Sequence, residues 1–400
     1  MWRRLFTDGG WVVGVNLLQN LSSLLLMMLM VRIVSREEMG AYQLIVAAIG
    51  IAGMTCLPGL GNAIIQSVAR GFAGTYRRAV PLAFGASLLG AAGLLVFALA
   101  QVGQARELVF PGAVAAALLF PFSSGLQKWA PVLTGRGAFR HLARQRGVAT
   151  LVAFGGSAIA LWTIEPSIVV VVLVTNLVMA AQNIWMTVRL HRAIAANEPA
   201  EEGAIVYGLR TSLYDVVNTL GNHADKVLLF YFLSPEAVAV YAIAERVPEL
   251  LKNYLQSLRS VFMPAFSRAS AYTPAMARQI NRVGAGISVA ILAIAFLVVP
   301  WFVPVMFTQA YADAVLYCQL LLATLVIGQN ATLKYTFILS RLDSRGVRDI
   351  ALSANAVRLL ASLLLVPIFG IAGAIAATAV YRITNVAAVS LSLRRFKAAS

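Results

Sequence analysis

The chain has 400 residues, of which 60% are hydrophobic and only 12% charged, and its mean hydropathy is +0.80. Water-soluble domains are about 45–50% apolar and about 25% charged, so a single soluble domain is excluded. The net charge of +16 does not mark a nucleic-acid binder, because a basic patch for RNA or DNA comes with a soluble domain that has no counterpart here.

Apolar stretches of roughly 20 residues, each long enough to cross a hydrocarbon core of about 30 Å, recur along the chain. The first, at 11–31, follows Arg3 and Arg4 in the layout of a signal peptide. It has no small-residue cleavage site and leads straight into another span, so it reads as a retained helix. Further spans are expected at 42–67, 79–100, 108–132, 147–164, 167–188, 205–232, 237–258, 284–307, 315–339, 349–367 and 370–392. The expected fold is all-α: a polytopic membrane protein of about twelve transmembrane helices in two six-helix bundles around a central cavity. Residues 1–197 form the first bundle and 204–400 the second. The polar stretch 190–204, with Glu198, Glu201 and Glu202, is the cytoplasmic linker between them.

Orientation follows from the cations. With the amino terminus inside, 21 of the 32 Lys and Arg residues fall on the cytoplasmic side, among them Arg77, Arg78, Arg136, Arg189, Arg341, Arg395 and Lys397. Only Arg32, Arg36 and Arg106 fall on the other side. This is the positive-inside pattern, and both termini come out cytoplasmic.

The halves also resemble each other. A shift of 199 residues lays VSREEMGAY (34–42) on LSPEAVAVY (233–241), pairing Ser35 with Ser234, Glu37 with Glu236 and Tyr42 with Tyr241. A different offset sets QKWAPVLTG (127–135) on LKYTFILSR (333–341), superposing Lys128 on Lys334. Six spans per half give repeats of the same orientation, related by an axis along the membrane normal.

Charges within the spans are the main functional signal. Eight cations lie there: Lys128, Arg210, Lys226, Arg246, Lys252, Lys334, Arg358 and Arg382. Four acids accompany them: Asp215, Asp225, Glu245 and Glu249. A charge at mid-bilayer costs on the order of 2.5–3.5 kcal/mol even on a lenient scale. These groups must therefore face a watery cavity or each other. Lys128, Lys334 and Arg210 sit near the cytoplasmic ends, where snorkelling is an equal alternative. Arg358, Arg382 and Lys252 lie deeper and read as cavity-lining. Span seven carries Thr211, Asp215, Asn218, Asn222 and Asp225 on one face, with a weaker stripe of Asn16, Gln19, Asn20 and Ser23 in span one. Such stripes serve either as interhelical glue or as the wall of a shared cavity, with Asp215, Asn218, Asn222 and Asp225 also open to ion coupling. In span eight, Glu245, Glu249 and Lys252 share a face and Arg246 reaches Glu249, an arrangement that neutralised pairs would explain. The surplus of cations over acids leaves positive charge for an anionic ligand, with phosphate the natural candidate.

The two cysteines, Cys56 and Cys318, lie in separate spans, and neither a disulfide nor a metal site is built from them. No cofactor is expected. His141 and His191 fall on the cytoplasmic side, and His223, beside Asp225, reads as a packed helix residue rather than a proton carrier. Prolines at 58, 121, 248, 264, 300 and 304 invite kinks.

The run RIVSREEMGAYQLIVAAIGIAGMTCLPGLGNAIIQSVAR (32–70) resembles the opening of the polysaccharide-exporter flippases of the MOP superfamily, often called Wzx. ADKVLLFYFLSPEAVAVYAIAERV followed by MPAFSR (224–268) resembles the start of their second half, with Asp225, Tyr241 and Pro264 as landmarks. The ending from YADAVLYCQLLLATLV through LVPIFGIAGAIAATAVYRITN (311–385) is similar to their final helices. The resemblance spans nearly the whole chain. It implies two six-helix bundles opening alternately to each face, and an oligosaccharide on a polyprenyl pyrophosphate lipid as cargo, flipped from the cytoplasmic to the outer leaflet. Membrane lipids are partners, as are the glycan polymerase and glycosyltransferases of the same pathway; no nucleic acid is implied, and a monomer is expected.

Three alternatives stand beside this reading. A proton- or sodium-coupled small-molecule antiporter would use Asp215 or Asp225. A membrane glycan polymerase or ligase would need a sizeable outer loop, and none is found. A structural member of a glycan assembly complex would need no transport site.

Overall fold

The computed structural model describes residues 2–164, 167–268, 274–340 and 344–394; the side chains of 2–9, 104–105, 254, 256–268, 274–275, 330, 333, 339–340 and 344–347 are not described. Of the cations expected on the cytoplasmic side, Arg341, Arg395 and Lys397 lie outside the described residues. All regular structure among the described residues is helical.

The first six passes are α1 (Trp2–Ile33), α2 with α3 (Arg36–Ala52 and Gly59–Ala69), α4 (Gly74–Leu99), α5 with α6 (Gln104–Phe120 and Trp129–Gly135), α7 (Phe139–Thr163) and α8 (Ile168–Ala193). The next six are α9 (Ala204–Phe232), α10 (Pro235–Arg268), α11 with α12 (Pro274–Ala293 and Val299–Phe307), α13 (Ala314–Ser340) and the two arms of α14 (Ser344–Leu393). Gly370, at φ 59° and ψ −131°, separates those arms, a conformation open only to glycine. Nine segments among the described residues are long and apolar enough to cross a membrane, one of which, Arg348–Leu393, holds both arms. Helices α9 and α10, of 29 and 34 residues, are long enough as well but carry most of the in-span charge.

Two passes of the first half are broken, and in each the break is bonded. The second pass stops in a 3-10 turn, Gly53–Cys56; Leu57 is left-handed (φ 54°), and Pro58 opens α3. The fourth widens into a π-turn at Pro121–Gly125. Within a bilayer a freed carbonyl has no water to turn to, so polar side chains must meet it. Asn183 of α8 donates through Nδ2 to the carbonyls of Ser123 (2.8 Å) and Phe122 (3.2 Å), while its Oδ1 accepts from the Trp129 indole N–H (2.7 Å). The Thr187 hydroxyl donates to the Leu126 carbonyl at 3.3 Å. A second π-turn, Ile294–Val298, precedes Pro300. The residue four before that proline is Phe296, so the wide turn lies where the ring would otherwise press on a carbonyl.

The chain divides into two compact units, Met1–Thr219 and Leu220–Ser400, with the boundary inside α9. In the first, the core centres on Trp129, Tyr76, Leu60, Ile64, Met186 and Leu190, all buried. In the second, Phe337, Ile338, Ile350, Val389 and Ile280 form a core cluster. Many large apolar side chains point outward, including Leu89, Val96, Trp162, Leu297 and Ile368. That pattern suits a solvent of hydrocarbon.

The segment expected as the cytoplasmic linker is strapped to the first unit. Pro199 accepts from the Gly74 N–H (3.1 Å), and the Glu201 N–H donates to the Thr75 hydroxyl (3.0 Å). The Glu201 carboxylate takes the Ser67 hydroxyl (2.7 Å) and pairs with Arg70. Arg77 donates to the carbonyls of His191 (3.0 Å) and Ile194 (2.6 Å). The strap brings the start of α9 against α3. There the Gly59 N–H donates to the Ser212 hydroxyl at 3.0 Å. A methyl on Gly59 would stand 2.2 Å from Thr211 Oγ1 and 2.4 Å from the Gly208 carbonyl. Backbone cannot swing aside as a side-chain tip can, so Gly59→Ala should cost at or above the upper end of the roughly 1–3 kcal/mol typical of overpacking. Gly85→Ala, with nothing within 4 Å, should be silent. Thermal melting of the two purified variants in detergent is the check; equal melting would refute the close packing.

The capping of the two halves bears on the internal repeat. The Ser35 hydroxyl accepts from the Glu38 N–H (3.1 Å), and the Glu38 carboxylate in turn accepts from the Ser35 N–H (2.8 Å), a full capping box. At the position 199 residues on, the Ser234 hydroxyl accepts from the Ala237 N–H at 3.3 Å. The second helix of each half is thus started by the same device.

Candidate functional site

The second unit holds a buried charged cluster. Helix α9 supplies Asn222 and Asp225, α10 supplies Tyr241, and the first arm of α14 supplies Arg358 and Ser362, one turn apart on the same face. The Asp225 carboxylate is only 1% exposed. It accepts from Arg358 Nη2 at 2.8 Å, from the Ser362 hydroxyl at 2.5 Å and from the Tyr241 hydroxyl at 3.3 Å. Arg358 Nη1 donates to Asn222 Oδ1 at 3.0 Å, and the guanidinium lies over the Tyr381 ring, 5.6 Å from its centroid. The pair is ligated nearly in full, although Arg358 Nε and the nearby Thr378 hydroxyl are buried without a partner. Low surrounding polarity makes such a pair stable when complete and costly when broken.

Arg358 is among the cations expected to serve a ligand, and Asp225 among the groups expected to couple an ion; here each is met by the other. Two further cations are neutralised, as the reading of span eight allowed for Arg246. Lys226 pairs with Glu245 at 3.2 Å, and Arg246 with Glu249 at 3.3 Å.

The remaining in-span cations of this unit make no ion pair among the described residues. Arg382, on the second arm of α14, donates through Nε to the Thr324 hydroxyl at 3.2 Å. It lies along α13 because residue 328 is glycine: a methyl there would meet Arg382 Nη1 at 3.3 Å. Lys252 is exposed on α10, and Lys334 is half-buried on α13.

The first unit takes the others. Lys128 is 6% exposed, and its ammonium donates to the Leu57 carbonyl at 3.1 Å, the group freed by the break in the second pass. Its position is that of a staple between two broken passes. Arg210 is exposed on the first turns of α9, and Asp215 is half-buried further along. The polar stripe of α9 therefore belongs to two units: Thr211, Asp215 and Asn218 to the first, Asn222 and Asp225 to the second. Thr211 turns back onto its own helix, donating to the Tyr207 and Gly208 carbonyls.

Ser362 and Thr324, which ligate Asp225 and Arg382, are absent from the residues singled out in the sequence. Ser362 carried a usable signal, since it stands four residues after Arg358 in an apolar helix. Thr324 carried none; only the packing of α13 against α14 brings it to Arg382.

The long apolar helices among the described residues define a multi-pass helical membrane protein. Solved structures share that fold at low identity. An inward-facing multidrug resistance MATE family transporter of the MOP superfamily is 15% identical, with a TM-score of 0.67 over 95% of this chain and 96% of that one. The lipid II flippase MurJ, in an inward closed conformation, is 12% identical, with a TM-score of 0.67 over 96% of this chain and 87% of that one. A MOP superfamily transporter from Pyrococcus furiosus is 14% identical, with a TM-score of 0.65 over 98% and 95%. No curated protein matches by sequence. A family model described as polysaccharide biosynthesis protein matches residues 29–316, and the chain belongs to that family.

Proposed function

We propose that the protein is a flippase that carries a polyprenyl-pyrophosphate-linked oligosaccharide from the cytoplasmic to the outer leaflet of a bacterial inner membrane, for surface polysaccharide such as O-antigen or exopolysaccharide. Membership of a polysaccharide biosynthesis family in a chain that folds like the MOP transporters is the observation that carries this reading. Arg382, Lys252 and Lys334 add support, because they make no ion pair among the described residues and their charge suits a pyrophosphate. The two six-helix halves, 1–197 and 204–400, would alternate access, working as a monomer alongside the polymerase and glycosyltransferases of the pathway, with both termini cytoplasmic.

The test is reconstitution of the full chain in liposomes with a fluorescent polyprenyl-pyrophosphate oligosaccharide. Protein-dependent exposure of the inner-leaflet label to an impermeant quencher is expected. Absence of exposure from protein that is monodisperse and correctly inserted would refute the reading.

The second reading is a cation-coupled small-molecule antiporter, which the likeness to MATE transporters favours. The ligation of Asp225 by Arg358, Ser362 and Tyr241 weighs against that acid as an open ion site and leaves Asp215. Gradient-dependent dye efflux without lipid scrambling would select this reading instead.

A further inference from the structure

We infer that a groove on the first unit, between α4 and α8, binds one acyl chain of an anionic phospholipid of the cytoplasmic leaflet, with the lipid phosphate at Arg192. The groove is open along its outer side, where Phe122, Ile184 and Val188 are exposed, and offers about 640 Å³. Its walls are Val80 and Phe84 of α4, Phe122 and Leu126 of the fourth pass, and Ile184 and Val188 of α8. The rings of Phe84 and Phe122 pack together, tilted with centroids 5.6 Å apart. Thr187 also lines the groove, but its hydroxyl is turned to the Leu126 carbonyl.

One end of this apolar trough is polar. Arg192 is exposed there and makes no ion pair among the described residues. His191 stands beside it, its Nδ1 buried without a hydrogen-bond partner. Tyr76 packs edge-on against His191 at 5.8 Å, and its hydroxyl is likewise buried and unpartnered. Arg77 is already engaged by the His191 and Ile194 carbonyls, which leaves Arg192 as the lining residue able to take an anion.

A hydrocarbon slot with a cation at one mouth complements an amphiphile with an anionic head. Length selects the kind. From Ile184 to Arg192 the helix rises about 12 Å, close to half of a roughly 30 Å hydrocarbon core, so the slot spans one leaflet. A polyprenyl chain would overrun a lining that ends at Ile184 and Phe122. The occupant is therefore a phospholipid and not the cargo, and the inference needs only the cytoplasmic placement of Arg192, not the transported substrate.

The test is native mass spectrometry of the delipidated full chain, offered phosphatidylglycerol or phosphatidylcholine with identical acyl chains. One Arg near a net anionic headgroup is worth about fivefold in affinity, and the choline cation of phosphatidylcholine offsets its phosphate, so phosphatidylglycerol should be retained about fivefold better. Arg192→Gln should bring it down to the phosphatidylcholine level, and Val188→Trp should fill the slot and lower retention of both lipids. Arg192 is exposed, so its variant folds and stands as a test even if Val188→Trp does not. Equal retention of the two lipids would overturn the inference, as would a phosphatidylglycerol preference that survives Arg192→Gln. Displacement of phosphatidylglycerol by equimolar polyprenyl pyrophosphate would also overturn it, by making the groove a cargo site.

Discussion

Arg358→Ala should remove most of the folded protein from the membrane, and Arg358→Gln combined with Asp225→Asn should return much of it. The single variant leaves a carboxylate that is 1% exposed, facing only two hydroxyls where a guanidinium stood. Breaking a buried pair from one side costs about 3–5 kcal/mol because the surviving charge is uncompensated. That is a large share of the roughly 5–15 kcal/mol by which proteins are stable. The double variant replaces two charges with two amides of similar size and leaves no ion buried, and replacing a whole buried pair is often close to neutral. Asn at 225 keeps an acceptor for Ser362 and Tyr241, while Gln at 358 can still donate toward Asn222. The check is a thermodynamic cycle of Tm and monodisperse yield across the wild type, Arg358→Gln, Asp225→Asn and the double, with Arg358→Ala measured alongside. A normal Tm for Arg358→Ala together with lost transport would sink this view and give Arg358 back to a ligand.

Arg382→Gln should give the opposite phenotype: normal abundance and Tm, with flipping reduced roughly ten- to a hundredfold. Among the described residues Arg382 makes no ion pair, and its hydrogen bond to Thr324 is to a neutral hydroxyl. Removing it strands no acid. A charge-assisted hydrogen bond to a phosphate is worth about 1.5–3 kcal/mol, from which the fold-change follows. Arg382→Lys should restore only part of the rate, since an ammonium lacks the planar fork that grips two phosphate oxygens. Thr324→Val, which frees the guanidinium without discharging it, should fall between. Initial rates of flipping in proteoliposomes, normalised to inserted protein, measure all three. A wild-type rate for Arg382→Gln would show that this cation serves only packing.

Sequence reading and geometry part company at the level of pairing. The depth of Arg358 in span eleven was legible, because an arginine in the middle of an apolar run is conspicuous and costly. Its partner was not. Asp225 stands 133 residues away, and no local periodicity joins residues on helices that meet only on folding. Counting cations against acids left a surplus, but it could not say which cations the fold would pair. Lys128 shows the same limit: its place near the cytoplasmic end left ligand binding and snorkelling equally open, and only the fold brings its ammonium to the carbonyl exposed where the second pass breaks at Leu57.

By itself the amino-acid order determined that this is an all-α membrane protein of about twelve passes, since span length and hydropathy are properties of consecutive residues. It also aligned Ser35 with Ser234, but that each caps a helix became visible only in the structure. Tertiary structure alone decided that the 190–204 segment is strapped down, that Gly59 must be glycine, and that Arg358 is locked while Arg382 is not. Each of these depends on atoms far apart in the chain coming within a few ångströms, where Coulomb energy and steric repulsion are set by distance rather than by sequence spacing.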